Sequence, residues 1–432
     1  MTWRNWSGTV HAQPAQVLTP RDTGEVAEVV ARAAARGRQV TAVGAGHSFT
    51  PVAEARDLQL RLDHLTGIVA VEPGGRVRVR AGTRLRDLSA ALAQHGLALA
   101  NLGDIDVQTI AGAVATGTHG TGARFGGLAT QVVAMEVVRG DGSVVQIGSR
   151  PGSPPVTAAA VGLGALGVVT ELTLQCVPAY TLHAVEDTAS LPDVLEGLAE
   201  RVAAHDHYEF YWFPHTDGCL TKTNTRVAAQ VPERPLPSWR RFAEDEVLTN
   251  GVYAVVNELG RLRPRWVPGL NRLSVRALSR REYDDLAPRV FASSRRVRFV
   301  ESEYAVPAEA AASVVQELRD WVDRHEDVAV QFPVEVRFAA ADDVWLSTAY
   351  GRASAYIAVH QFHCSPARSY FRAFADIARA HGGRPHWGKL HGESAATLAA
   401  SYPRMADFRR LRDELDPGRV FANRYLTRVL GP

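Results

Sequence analysis

An apolar, strand-like run from Gln39 to Val43 ends on Gly44-Ala45-Gly46-His47-Ser48-Phe49, and no other stretch constrains the chain as tightly. Gly44 and Gly46 carry no Cβ, so the backbone of this turn can approach a phosphate closely. The histidine offers a nucleophilic ring nitrogen beside whatever the turn holds. The plain alternative is a surface loop that contains a histidine. The turn is not a G-x-G-x-x-G fingerprint, because Phe49 stands where the third glycine would be.

A second run, Ala111-Gly112-Ala113-Val114-Ala115-Thr116-Gly117-Thr118-His119-Gly120-Thr121-Gly122, has small residues at nearly every position. Such a run serves tight element packing or close contact with a cofactor. Taken together and in this order, the G-x-G-H-S-F turn and the T-x-x-G-x-x-x-T-G-x-H-G run resemble the FAD-binding domain of the vanillyl-alcohol-oxidase type, a PCMH-type FAD-binding fold. The resemblance implies that the first turn holds the FAD pyrophosphate and that His47 is covalently bonded to the flavin. It also assigns cofactor contacts to Ala42, Val43, Gly44, Ala45, Gly46 and Ser48. Gly103, Asp104, Thr109, Gly112, Ala113, Val114, Ala115, Thr116, Gly117, His119, Val168 and His386 complete the implied FAD site.

A chain of 432 residues has room for two domains with separate cores. Its 48 basic and 46 acidic residues leave a formal charge of +2, which gives no broad basic field for nucleic acid or an anionic membrane. The basic triplets Trp239-Arg240-Arg241 and Arg261-Leu262-Arg263 read as solvated faces. Cys176, Cys219 and Cys364 are scattered without a C-x-x-C pair, so neither a disulfide framework nor a zinc site is indicated. Met1 to Val10 lacks a signal-peptide core, and no apolar run reaches membrane-spanning length. The expectation is a cytoplasmic protein with no nucleic-acid or membrane partner, monomeric or weakly oligomeric.

Helical spacing of Val26, Val29, Val30, Ala33 and Ala34 predicts a helix over 22–37, and a second helix runs from about Arg84 to His95, closed by Gly96. Strands are expected at 58–62, 67–71, 76–79, 132–139, 143–147 and 168–177, with a hairpin at Gly140-Asp141-Gly142. This mixture defines an α+β domain over 1–178, which the resemblance makes the FAD-binding domain. Residues 179–415 read as a substrate-binding cap domain: an antiparallel sheet with strands at 208–213, 297–306, 334–338 and 355–363, and helices at 191–204, 308–325 and 367–381. The proline-rich stretch 231–237 reads as a loop or lid margin. Residues 416–432 form a tail that, in the resembling family, returns to the FAD domain.

The second half carries its own chemistry. Lys222 and Lys389 are the two lysines of an arginine-dominated chain. Lys389, in Arg384-Pro385-His386-Trp387-Gly388-Lys389, can serve acid/base chemistry that arginine cannot readily perform. Glu335 and Arg337, two apart on an expected strand, share one face, either as a site pair or as a surface ion pair. His360 lies inside an apolar strand, where a satisfied core histidine is the ordinary alternative. The H-W-G-K segment, the E-x-R strand, this histidine and the tail Asp416-Pro417-Gly418-Arg419…Phe421-Ala422-Asn423 together resemble the sugar-1,4-lactone oxidase and alditol oxidase group over essentially the whole chain.

That resemblance implies catalytic roles for Lys389, Arg337, Glu335 and His360, with Asp104, Glu335, Arg337, Phe362 and Lys389 contacting substrate. Lys389 and Arg337 would stabilise a developing alkoxide, and Glu335 would orient Arg337. The identity of the base stays open. Gly103 matches members that react well with oxygen. Asp104 and Phe362 depart from the serine and the small hydroxyl residue of alditol oxidase, and Tyr208 to Thr216 looks more like the gulonolactone type. The expected substrate is therefore an aldono-1,4-lactone oxidised at C2, with molecular oxygen as acceptor and hydrogen peroxide as product. The alternatives are an alditol oxidised at C1, a dehydrogenase using another acceptor, a noncatalytic flavin-binding protein, or a metal hydrolase built on His205-Asp206-His207 and His360…His363.

Overall fold

The computed structural model describes residues 2–148, 152–227, 234–235, 253–293 and 296–432. The triplet 239–241 and most of the stretch 231–237 lie outside them. The first helix spans Thr23–Ala35; Asp22 caps it, its side chain accepting from the Glu25 N–H at 2.8 Å. Such a cap contributes about 1 kcal/mol. Val26, Val29, Val30 and Ala33, spaced by three and four, are its buried face.

After this helix the strand Val40–Val43 pairs in parallel with Leu58–Arg61, which pairs in parallel with Gln16–Leu18. The glycine turn therefore leaves the carboxyl end of a parallel strand, the edge at which open α/β sheets bind ligands. Beside it lies an antiparallel sheet in the order Val144–Ile147, Val132–Val138, Val168–Gln175, Arg76–Arg80, Ile68–Glu72. Along Val168–Gln175 buried and half-buried residues alternate strictly, the period-two signature of a strand with one face on a core.

The second unit is built on an eight-stranded antiparallel sheet among the described residues. Its order is Arg281–Leu286, Thr181–Ser190, Gly218–Val227, His207–Trp212, Val334–Ala339, Ser354–Phe362, Phe299–Pro307, Arg384–Pro385. The helices Ala311–Arg324 and Arg368–Ala380 cover one face. Val314, Leu318, Tyr370 and Phe374 share a core there with Phe210, Trp212, Val336, Ile357, Val359 and Tyr304. Period two then sends Glu209, Glu335, Arg337, His360, Glu301 and Glu303 to the opposite face. That face is buried too, so four central strands read as apolar runs with charges embedded in them.

Several elements differ from the sequence expectation. The helix expected over 191–204 is two helices, Leu191–Glu196 and Leu198–Ala204, because Gly197 ends the first. The strands Thr181–Ser190 and Gly218–Val227 are ten residues each and were not expected; their polar sequences hide the alternation that marks a strand. The chain also returns to the first unit earlier than residue 416. Trp387, Leu398, Tyr402, Met405, Phe408 and Leu411 already belong to the first core. Beyond them the Asp416 carboxylate accepts from the Val420 and Phe421 N–H groups at 2.9 Å each, and the Val40 N–H donates to the Val420 carbonyl at 2.8 Å. No helix among the described residues is long and apolar enough to cross a membrane.

Candidate active site

Two connected cavities meet at the glycine turn. The larger is lined by residues 42–48, by Thr109, Gly112, Ala115 and Thr116, and by the loop from Ala159 to Val169. A Cβ on Gly44 would sit 2.3 Å from Thr109 Oγ1, and one on Gly112 would sit 2.9 Å from the same atom. Both glycines are therefore required for the turn to lie against the short helix Ile110–Ala115. The cradle left beside them, with walls from Val43, Met135, Val137, Ile147 and Leu166, fits a ligand with flat rings and a phosphate bridge, as FAD has.

Not every expected cofactor contact lines this cleft. Ala113 and Val114 are buried in the core. Val168 also points into the core, and period two gives its neighbours Gly167 and Val169 to the cleft instead. Gly117 follows the end of the short helix with φ +75°. The structure adds Gly162-Leu163-Gly164-Ala165-Leu166-Gly167, a G-x-G-x-x-G frame that the sequence reading passed over. It precedes a strand and not a helix, so it is no dinucleotide fingerprint, but its glycine spacing was a legible signal.

His47 and Ser48 line both cavities. The His47 ring stacks on Trp6 with centroids 5.7 Å apart. Burial, helped by the charges of Arg84 and Lys389, lowers its pKa to about 4. The imidazole is thus neutral at neutral pH, with a ring-nitrogen lone pair available for bond formation.

The smaller cavity brings together Glu335, Arg337 and His360 from the sheet face, His386 and Lys389 from the turn that follows Arg384–Pro385, and Asp104 and His119. Arg337 is held on three sides: Nε donates to Glu209 Oε2 at 3.0 Å, and its terminal nitrogens meet Asp104 at 3.3 Å and Glu335. Burial disfavours its charge, but Asp104, Glu335 and Glu209 outweigh burial and hold the guanidinium above its usual range. Behind it Lys222 lies 3.8 Å from Glu209 and donates to the Val290 carbonyl at 3.1 Å. Burial raises the Glu209 pKa, and Arg337 and Lys222 more than reverse this, so the carboxyl stays below its normal value.

Lys389 Nζ lies 2.5 Å from Glu301 Oε1. Burial would strip its proton, yet Glu301 and Glu303 raise its pKa overall. In turn, Lys389 and His360 overcome burial at Glu301 and bring it down to about 2. Lys389 is therefore an ammonium donor. His360 is not a bland core residue: Nε2 faces Glu301 at 3.5 Å and Nδ1 bonds the Pro333 carbonyl at 3.1 Å. Glu303 bonds His119 Nε2 at 3.0 Å, and the His119 ring stacks on Tyr356. His386 Nδ1 accepts from the Gly388 N–H at 3.0 Å, and burial lowers its pKa to about 4. In the neutral ring this leaves the proton on Nε2.

Phe362 does not line the cavity. It packs with Phe49, Phe299 and Phe332, and Phe49 and Phe299 present their rings to the space. Gly103 lies just outside the cavity; a Cβ there would sit 3.0 Å from the His119 carbonyl oxygen and 3.4 Å from Thr118 Cγ2. Of the residues suggested for a metal hydrolase, Asp206 pairs with Arg124 at 2.6 Å and His207 Nδ1 bonds the Thr121 carbonyl at 2.7 Å, while His360 alone lines the cavity. Glu209, Glu301 and Glu303 were missed from sequence. Glu301 and Glu303 are two apart within the expected strand 297–306, the same signal that singled out Glu335 and Arg337.

A dinucleotide cleft that opens, at one neutral histidine, into a cavity of paired charges defines a class, that of FAD-dependent oxidoreductases. Residues 14–148 match the family described as FAD binding domain, and residues 172–429 match D-arabinono-1,4-lactone oxidase. The chain belongs to the D-arabinono-1,4-lactone oxidase family. Among its relatives are the L-gulono-1,4-lactone dehydrogenase of Mycobacterium tuberculosis, 44% identical with 100% of this chain and 99% of that protein covered. The alditol oxidase of a Streptomyces species is 34% identical (99% and 98% covered), and the L-gulonolactone oxidase of Mus musculus is 32% identical (99% and 98% covered). The fold is also that of cholesterol oxidase from B. sterolicum, at a TM-score of 0.83 and 18% identity over 99% of this chain and 96% of that one.

Proposed function

We propose that the protein oxidises the C2 hydroxyl of an aldono-1,4-lactone, with FAD held covalently through His47 and electrons delivered to molecular oxygen to give hydrogen peroxide. The observation that carries this reading is the convergence of Glu335, Arg337, His360 and Lys389 on one cavity that opens at His47. Bound FAD supplies the hydride acceptor; the protein supplies position and charge. Lys389 and Arg337, both held protonated by their carboxylates, donate hydrogen bonds to the substrate oxygen as negative charge develops on it. Glu335, Glu209 and Asp104 fix the guanidinium plane, and Glu301 fixes the ammonium. Relatives named for gulonolactone and arabinonolactone support the lactone over an alditol. Residues 1–178 serve as the FAD-binding domain and the sheet from 179 to Pro385 as the substrate domain. The enzyme is cytoplasmic, a monomer or weak oligomer.

Anaerobic mixing with L-gulono-1,4-lactone and, separately, with xylitol tests the substrate class. The lactone should bleach the flavin absorbance fast and xylitol slowly; the reverse order would make this an alditol oxidase. The acceptor has a second reading, because one relative is named a dehydrogenase. Gly103 decides between them. A methyl at this position would press on the His119 carbonyl and on the methyl of Thr118, which lines the cavity, so Gly103→Ala should slow reoxidation by oxygen about tenfold or more while leaving anaerobic reduction by the lactone nearly unchanged. Reoxidation that is slow in the unmodified enzyme, and indifferent to the methyl, would establish the dehydrogenase.

A further inference from the structure

The charges around the substrate cavity do not balance in favour of anions. Asp104, Glu301, Glu303 and Glu335 line it, against the cations Arg337 and Lys389. Each cation is already committed: Arg337 to Glu209, Asp104 and Glu335, and Lys389 to Glu301. One layer further in, Lys222 and Glu209 cancel each other. The His47 and His386 rings are neutral, since burial lowers each pKa to about 4. His119 and His360 each sit between a backbone carbonyl and a carboxylate, Glu303 and Glu301 respectively, so neither ring is free to meet an anion. An entering anion finds carboxylates and no uncommitted cation among the described lining residues. A neutral polyhydroxylated ring finds acceptors for its hydroxyl protons and two donors for its oxygens.

We propose that the cavity is a charge filter: it takes the neutral lactone, turns away the ring-opened aldonate, and holds weakly the enediolate that forms from its own product. The inference rests on the aldonolactone reading. Oxidation at C2 breaks the C2–H bond, its electron pair leaving as hydride to the flavin and the hydroxyl proton leaving separately, so that a 2-keto lactone remains. The enediol tautomer of that product is a vinylogous acid and loses a further proton in neutral water. Substrate thus enters without charge and product departs as an anion from a cavity lined by carboxylates. Like-charge contacts in a desolvated site oppose binding strongly, and here that opposition acts on product and spares substrate. Glu303 and Asp104 set the filter, since they face the cavity from opposite sides, on the sheet and on the FAD-binding unit.

The test uses the holoenzyme and matched neutral and anionic ligands. Anaerobic flavin reduction is measured with L-gulono-1,4-lactone against L-gulonate, and with xylitol against xylitol 5-phosphate, an anion that keeps the C1 carbinol. The neutral member of the reactive pair should be faster by about 100-fold. Calorimetric Kd values for L-ascorbate, an enediolate of a 1,4-lactone, are then compared with the KM for the lactone. In Asp104→Asn and Glu303→Gln the ratio of ascorbate Kd to lactone KM should fall about tenfold. A purely structural loss would weaken both ligands together and leave the ratio alone. Equal rates within the reactive pair, or a ratio unmoved in both variants, would overturn the filter. Should xylitol alone reduce the flavin, the aldonolactone reading fails, and the xylitol and xylitol 5-phosphate pair still decides the filter by itself.

Discussion

Replacing Lys389 by Met should slow reduction of the bound flavin roughly 10²–10³-fold, the range lost when one preorganised donor to a developing oxyanion is removed. The ammonium is pinned by Glu301 at 2.5 Å and kept protonated by Glu301 and Glu303, so it reaches the transition state already oriented. Methionine keeps much of the stem's volume and deletes the charge. FAD binding should hardly change, because Lys389 lines the substrate cavity and does not line the cofactor cleft. The substitution also leaves the buried Glu301 carboxylate with His360, 3.5 Å away, in place of two partners, at a cost of about 3 kcal/mol in stability; a thermal melt separates that loss from the kinetic one. Lys389→Arg should not restore the rate, since a planar guanidinium cannot take the place of a compact ammonium. Stopped-flow reduction near the normal rate in a folded, yellow Lys389→Met protein would remove this residue from the mechanism.

His47→Ala should move the flavin from the pellet to the supernatant on acid precipitation, completely. The unmodified protein should carry its flavin into the pellet, because a covalent bond survives unfolding and a cradle of glycines does not. The chemical reason lies in the ring's state: burial with Arg84 and Lys389 nearby holds the imidazole neutral, and a protonated ring could not form the bond. The variant should still bind FAD while folded, since the two glycine segments and the Ala159–Val169 loop are untouched. Flavin that leaves the unmodified protein on acid treatment would end the covalent assignment, whatever the variant does.

Much of the site was legible because its residues are out of character with their surroundings. A histidine in a glycine turn, a lysine in an arginine-dominated chain and an E-x-R pair inside an apolar strand each break a local pattern. Where sequence reasoning fell short, the pattern was present but ambiguous. Glu301 and Glu303 share a strand face, yet charges on alternate strand positions usually mark a solvated face. They become site residues because the first unit packs over that face: His119 from the glycine-rich run bonds Glu303, and the Gly122 N–H donates to the Phe338 carbonyl at 2.7 Å. Phe362 shows the opposite error, for its ring turns into a cluster with Phe332 and reaches the substrate space only through Phe49 and Phe299.

By itself the sequence determined the local devices: the two glycine segments whose missing Cβ atoms shape the cofactor cleft, the helix caps, and the side chains able to do the chemistry. Those depend on neighbours a few residues away, and the order of residues settles them. Tertiary structure alone decided which carboxylates are buried, which cation each one holds and therefore which groups stay charged. Charge states in a desolvated cavity depend on partners far apart in the chain, 233 positions for Asp104 and Arg337 and 184 for His119 and Glu303. Only the docking of the sheet against the FAD-binding unit brings them within hydrogen-bond distance and removes the water that would otherwise screen them.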